Sequence, residues 1–467
     1  ILDIGNLIGA NVVVGGVRRT AEIFLFDADD YESMFAKYGI NGIWTEEQLA
    51  HHVKLGNLLE EEGIKPVWFD DIKNVGDQRN GFDHRRMSNN SIAYEKQPTR
   101  RQLHITFQLL QGEGEPGFIN LEEARRRRPN AEGINPCAEI LLDSYGVCNL
   151  TTINIKAFVI QKADGSYELD FEGLMEAQRL STRIGVRMTL STLELPHWDA
   201  IQQRDHLIGT SVTGWQDALD MVGYTDEQEV TLMRALRQVS RDEADRFASV
   251  LRIPSPLLAT TVKPEGTLSQ VAGGVSAGVH MSHSPFYVRR IRINANDPLV
   301  QVAKDLGWSI HAEVGTLGIQ NEEELALPHV IAEARTLVVD FPVESGAKRT
   351  KDDTTVKEQL DTYFRFQNHY TEHNSSNTID IKPHEWAEAE EIIYNNWDNF
   401  VGVSFLAHDG GTYKLAPYEA ISEEEYHERK AQMKPFDAKL LRQYEFSETA
   451  EDTENMDSCS SGVCPIR

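Results

Sequence analysis

Asn135-Pro136-Cys137-Ala138-Glu139-Ile140, with Cys148-Asn149-Leu150 beginning eleven residues after Cys137, is the stretch on which the reading of this chain turns. In an extended loop, alternation places Asn135, Cys137 and Glu139 on one side. A carboxylate beside a thiol raises the thiol pKa, whereas a nucleophilic cysteine needs it lowered. The set makes chemical sense if Cys137 gives up and regains a hydrogen atom while Glu139 handles a proton. The competing reading is a structural free cysteine.

Around this stretch lie 467 residues, of which 40% are apolar, enough for a sizeable core. The length suggests a large domain with extensions, or about three domains. The 46 basic against 73 acidic residues give a formal charge of −27, which repels phosphate and argues against non-specific binding to nucleic acid or to anionic membrane. No apolar run reaches the roughly 18 residues of a spanning helix. Four cysteines in so long a chain exclude a disulfide-stapled secreted scaffold. A cytoplasmic enzyme is the resulting expectation. The opening Ile1-Leu2-Asp3-Ile4-Gly5 shows no signal-peptide pattern and runs at once into Asn11-Val12-Val13-Val14, which reads as a strand. The expectation is the C-terminal part of a longer protein.

Strands interleave with helices, the pattern of an α/β class. Residues 45–62, 170–194, 228–251, 298–306 and 384–395 are predicted helical. Within 228–251, Leu232, Leu236, Val239 and Phe247 share one helix face. Gln102–Leu110, Leu337–Phe341 and Val401–Leu406 are predicted strands, and 66–95 helical or irregular.

Gly112-Glu113-Gly114-Glu115-Pro116-Gly117 matches a dinucleotide fingerprint in spelling only. Two carboxylates oppose a pyrophosphate and Pro116 lacks a donor, so a structural turn is expected. Lys263-Pro264-Glu265-Gly266-Thr267-Leu268-Ser269, before a Gly-rich stretch, offers hydroxyls and N–H groups suited to phosphate oxygens. Arg125–Arg128 reads as a solvated helix face. Residues 447–467 have almost nothing to bury and read as a mobile tail. That tail carries Cys459 and Cys464, which suit a thiol–disulfide shuttle better than a zinc site.

Taken together, these blocks resemble ribonucleotide reductase, along with Gly16-Val17-Arg18-Arg19-Thr20-Ala21-Glu22 and Arg86-Met87-Ser88-Asn89-Asn90-Ser91. The chain looks most like the adenosylcobalamin-dependent, monomeric ribonucleoside-triphosphate reductases. Three features point that way: the closeness of Cys148 to Cys137, the ending Cys464-Pro465-Ile466-Arg467, and no adjacent tyrosines in Ala407-His408-Asp409-Gly410-Gly411-Thr412-Tyr413. The resemblance implies a ten-stranded α/β barrel of two five-stranded halves with the cysteine loop through its centre. Residues 1–130 would be the remainder of the first half, 131–150 the loop, 151–446 the second half and 447–467 the redox tail.

The same resemblance implies the roles. Cys137 would become a thiyl radical, started by adenosylcobalamin, and abstract the ribose 3′ hydrogen. Glu139 would take the 3′-hydroxyl proton, and Asn135 would bind the ribose hydroxyl. Cys148 would be half of the reducing dithiol, re-reduced by Cys459 and Cys464 and then by thioredoxin or a similar dithiol. Glu265, Gly266, Thr267, Leu268 and Ser269 would hold substrate phosphates. Gly15, Gly16, Val17, Arg18, Arg19 and Thr20 would form the specificity loop read by a deoxynucleotide effector. Segments about 294–355 and 413–452 would contact cobalamin; no metal ligand is assigned. The second thiol of the dithiol should precede Cys137, and no cysteine does. The first half-barrel is therefore expected to be incomplete and this piece alone inactive. Two other readings are a metal-cofactor reductase subunit needing a separate radical subunit, and a non-catalytic nucleotide-binding remnant.

Overall fold

The structure is a computed structural model that describes residues 1–11, 13–14, 17–18, 21–40, 44–72, 82–319, 321–408, 415 and 417–445. It divides into two compact units, one of residues 1–11, 20–283 and 345–410, the other of 12–19, 284–344 and 411–467.

The first unit is built on two runs of parallel strands. One comprises β1 (Ile23–Phe26), β2 (Asn89–Tyr94) and β3 (Gly117–Asn120), with Ile23 opposite Asn89 and Ser91 opposite Gly117. The other begins with β4 (Asn149–Asn154) beside β5 (Ile208–Thr213). It continues through parallel bridges from Thr210 to Thr260 and from Val262 to Ser375. It ends with β6 (Thr378–Ile381) beside β7 (Ser404–Ala407). Among the described residues this makes three strands in one run and five in the other, joined where the Asn120 N–H donates to the Val401 carbonyl at 2.7 Å. Parallel strands need crossovers, and helices supply them. These are α1 (Glu46–Glu61), α2 (Arg100–Glu113), α3 (Leu121–Arg127), α4 (Phe171–Met188), α5 (Asp226–Leu251), α6 (Val356–His369) and α7 (Trp386–Asn395). Four of them start with capping boxes, Thr45 with Gln48, Thr99 with Gln102, Thr225 with Gln228 and Thr355 with Glu358, which satisfy the first orphan N–H groups.

Alternation along the strands sorts their side chains into two cores. Phe26, Ile92, Tyr94, Phe118, Val403 and Phe405 join the aromatic core under α1, α2, α6 and α7. Their neighbours Ile23, Leu25, Ala93, Ile119 and Val401 pack on a second core containing Ile134, Ile140 and Leu141. The cysteine loop thus runs among the strands' other faces. Gly209 in β5 permits that approach, because an added Cβ would lie 2.7 Å from Ile140 Cδ1, Leu150 Cδ2 and Thr261 Cγ2. Gly209→Ala should cost about 1–3 kcal/mol of stability by overpacking, seen as a lowered urea midpoint.

The predicted helices at 45–62, 170–194, 228–251, 298–306 and 384–395 are present within a few residues at most ends. Gln102–Leu110 is a helix, not a strand. Leu103, Ile105, Phe107, Leu109 and Leu110 are all buried, so burial around most of the helix mimics period-2 alternation. Asn11 closes a helix, Leu2–Asn11; of the predicted N-terminal strand Val12 lies outside the described residues, and Val13–Val14 pair with Val17–Arg18. Of the segment 66–95, residues 73–81 lie outside the described residues; the rest holds short 3-10 turns at Phe69–Asp71 and Asp83–Met87 and ends in β2.

The second unit centres on strand Phe286–Asn294, antiparallel to Thr336–Glu344 on one side and Tyr418–Ala420 on the other; Ile310–Ala312 pairs with Thr336–Glu344. Arg290 and Asp340 face each other across the central pair, both buried and bonded at 3.3 Å.

Candidate functional site

Alternation does not bring Asn135 to Glu139; a tight turn does. The Ala138 N–H donates to the Asn135 carbonyl at 2.8 Å, and Ala138 takes a left-handed φ of 63°. The Asn135 side chain closes the turn, accepting from the Ile140 N–H at 2.9 Å and donating to the Glu139 carboxylate. Glu139 is buried, and its Oε2 has no hydrogen-bond partner among the described residues. Burial foremost raises the Glu139 pKa, against the opposing effects of the Asn135 bond and the Lys263 charge.

Cys137 is exposed at the crest of the turn. Loss of solvation, then the Glu139 charge, push its thiol up to about 11, with partial relief from Lys263. Cys148, half-buried at the start of β4, is pushed up to about 12 by burial, Glu139 and Cys137. The structure therefore brings Asn135, Cys137, Glu139 and Cys148 into one electrostatic neighbourhood with Lys263. Both thiols hold their hydrogens at neutral pH. Such an arrangement is poor for thiolate attack and suited to hydrogen-atom transfer with a carboxylate base nearby.

The Lys263–Ser269 turn splits in two. Gly266, Thr267 and Leu268 are exposed. Glu265 and Ser269 are buried; the Glu265 carboxylate accepts from the Thr152 hydroxyl at 2.5 Å and pairs with Lys263 at 3.5 Å. Gly15, Gly16, Arg19, Thr20, Cys459 and Cys464 lie outside the described residues, and Val17 and Arg18 are described only as a paired strand. The 112–117 turn is structural: Gly114 caps α2 at φ 72°, and Glu115 pairs with Lys37 at 2.7 Å.

The arginine run is not a solvated face. Arg125 and Arg126 are at the surface, but Arg127 donates to the carbonyls of Gln367, Thr371 and His373. Arg128 is fully buried, donating to the Leu141 carbonyl at 2.6 Å and pairing with Asp205. The end of α3 thereby clamps the chain just after the cysteine turn. Arg128→Ala should destabilise the fold by about 3 kcal/mol, measured by urea unfolding, because it strips a buried carboxylate of one partner while Arg204 keeps the other.

Sequence reasoning missed a set of polar residues that hold the turn. Asn89 donates to the Pro136 carbonyl at 3.0 Å, Ser376 to Cys137 at 2.5 Å, Asn374 to Ala138 at 2.7 Å and Thr261 to Glu139 at 2.8 Å. The signal available was His373-Asn374-Ser375-Ser376, a polar run between a helix and a strand. Nothing in its composition announces that all four residues are buried.

A parallel α/β scaffold with a cysteine turn inside it defines the class. Residues 42–244 match the family model described as ribonucleotide reductase, barrel domain. Over its whole length it is 26% identical to the adenosylcobalamin-dependent ribonucleoside-triphosphate reductases of Lacticaseibacillus paracasei and of Lactobacillus gasseri, covering 59% of each. The fold matches a B12-dependent (class II) ribonucleotide reductase crystal structure with a TM-score of 0.69 at 23% identity, over 95% of this chain and 57% of that one. The chain thus spans somewhat under two thirds of the relatives' length.

Proposed function

We propose that this chain is the radical-thiol portion of an adenosylcobalamin-dependent ribonucleoside-triphosphate reductase, converting ribonucleotides to 2′-deoxyribonucleotides. The observation that carries the proposal is the turn itself: a protonated, exposed thiol beside a buried carboxylate with one oxygen unpartnered among the described residues. That thiol is the form that fits the cofactor, since only S–H can yield a hydrogen atom. Adenosylcobalamin, when bound, supplies the homolysis that starts removal of that atom from Cys137. Segments about 294–355 and 413–452 are the proposed cobalamin contacts.

Cys137 takes the ribose 3′ hydrogen. Glu139 Oε2 accepts the 3′-hydroxyl proton, held toward it by the Asn135 bond. The 2′-hydroxyl departs as water while Cys148 and a second thiol give two electrons and close a disulfide, and Cys137 returns its hydrogen to C3′. Gly266, Thr267 and Leu268 are the exposed part of the phosphate-binding turn; Glu265 and Ser269 support it from beneath. Cys459 and Cys464 carry electrons from thioredoxin or a similar dithiol, and Gly15–Thr20 reads a deoxynucleotide effector. Among the described residues, no helix is long and apolar enough to cross a membrane.

The test uses the protein carrying this chain at its full genomic length, incubated with a ribonucleoside triphosphate, a dithiol and adenosylcobalamin. Deoxynucleotide formation that requires adenosylcobalamin is expected. Formation without it would favour a subunit-dependent radical source, and no formation under any cofactor would sink the proposal.

A further inference from the structure

The segment His373–Ser376, which neither the motifs nor the mechanism uses, makes four bonds to the cysteine turn. The His373 Nδ1 accepts from the Leu141 N–H at 3.2 Å, and its Nε2 therefore carries the hydrogen donated to the Ile208 carbonyl at 3.0 Å. The Asn374 amide donates to Ala138 and to Gly402, while its backbone N–H donates to the Glu139 carbonyl at 3.2 Å. The Ser376 hydroxyl donates to the Cys137 carbonyl. Each bond goes to a different residue of the turn, and the one gripped by the Asn374 side chain is the left-handed Ala138. An alanine in that region is strained and persists only where its surroundings hold it.

We propose that His373, Asn374 and Ser376 are positioning residues: they seat the turn so that Cys137 stays beside Glu139. The proposal rests on the reading of Cys137 as the working thiol. None of the three needs to touch substrate. Burial holds the His373 imidazole neutral, down to about 3, with Arg128 and Arg127 opposing protonation, so the seat keeps one tautomer across the working pH range. The charged groups facing Cys137 are Glu139 on its own turn and Lys263 on the neighbouring strand segment.

Alkylation of Cys137 by iodoacetamide at pH 8, followed by mass spectrometry with Cys148 as internal reference, tests the seat without any turnover. Failure here is therefore distinct from failure of the reductase reading. Each unit of thiol pKa changes the thiolate fraction about tenfold. A turn released toward the ordinary value of 9.0, from about 11, should gain at least about tenfold in rate. Ser376→Ala and Asn374→Ala are expected to show that gain at Cys137 and not at Cys148, and Ser376→Thr to keep the slow rate. If Asn374→Ala fails to fold, the Ser376 pair decides. An unchanged or smaller effect in Ser376→Ala, equal acceleration at Cys148, or loss of the slow rate in Ser376→Thr would overturn the proposal.

Discussion

Cys137→Ser in the full-length protein should abolish deoxynucleotide formation to the limit of detection while leaving the fold intact. The side chain is exposed and makes no contact that the core needs, so the thermal midpoint should move by well under about 1 kcal/mol equivalent. The hydroxyl is nearly isosteric with the thiol and even more resistant to ionisation. A nucleophilic mechanism can tolerate a weak oxygen nucleophile with residual rate, but hydrogen-atom transfer cannot, because an O–H bond holds its hydrogen too tightly to be started or regenerated. Undiminished turnover in the serine variant would remove Cys137 from the chemistry altogether.

Glu139→Gln should lower turnover by about 10²–10⁴, the usual range for a lost general base. The pH profile distinguishes this from simple disruption. Burial first, against the Asn135 bond and the Lys263 charge, leaves the Glu139 pKa above its ordinary 4.5, and the base works only when ionised. The acid limb of kcat/KM should therefore lie above pH 4.5 in the native protein and flatten in the glutamine variant. The stability effect has the opposite sense. A carboxyl whose folded pKa is raised binds its proton more tightly in the folded state. Its contribution is full below the unfolded pKa and is lost as pH rises through the folded value. At neutral pH, Glu139→Gln should be as stable as the native protein or more so. A variant that is both inactive and markedly less stable would point to structural damage instead.

The cysteine turn was legible because its residue types are incompatible with ordinary thiolate chemistry, and a chemical contradiction survives in sequence. The helix periods of α4 and α5 were legible because each buries one face and exposes another. α2 was misread because Leu103, Ile105, Phe107 and Leu109, all buried, happen to alternate, and that alternation masked the helical polar stripe of Arg101, His104, Gln108 and Gln111. Arg128 was misjudged, and His373–Ser376 passed over, because a polar residue is read as solvated by default. Their burial depends on partners, Asp205 and the turn's own carbonyls, that lie far away along the chain. Conversely, Glu265 was placed among the phosphate-binding residues from a motif, while its side chain turns toward Thr152 and Lys263.

The partners that seat the turn also fix when, during synthesis, it can be completed. Thr261 and Asn374, whose hydroxyl and carbonyl meet at 2.8 Å, are 113 residues apart in sequence. Between them the chain makes the whole excursion of residues 284–344 and then α6. Contacts across so long a closure form late, after the local helices and hairpins have already collapsed. On a ribosome, Cys137 emerges more than two hundred residues before Asn374 and Ser376 exist to receive it. The thiol is thus made well before the residues that lock it in place.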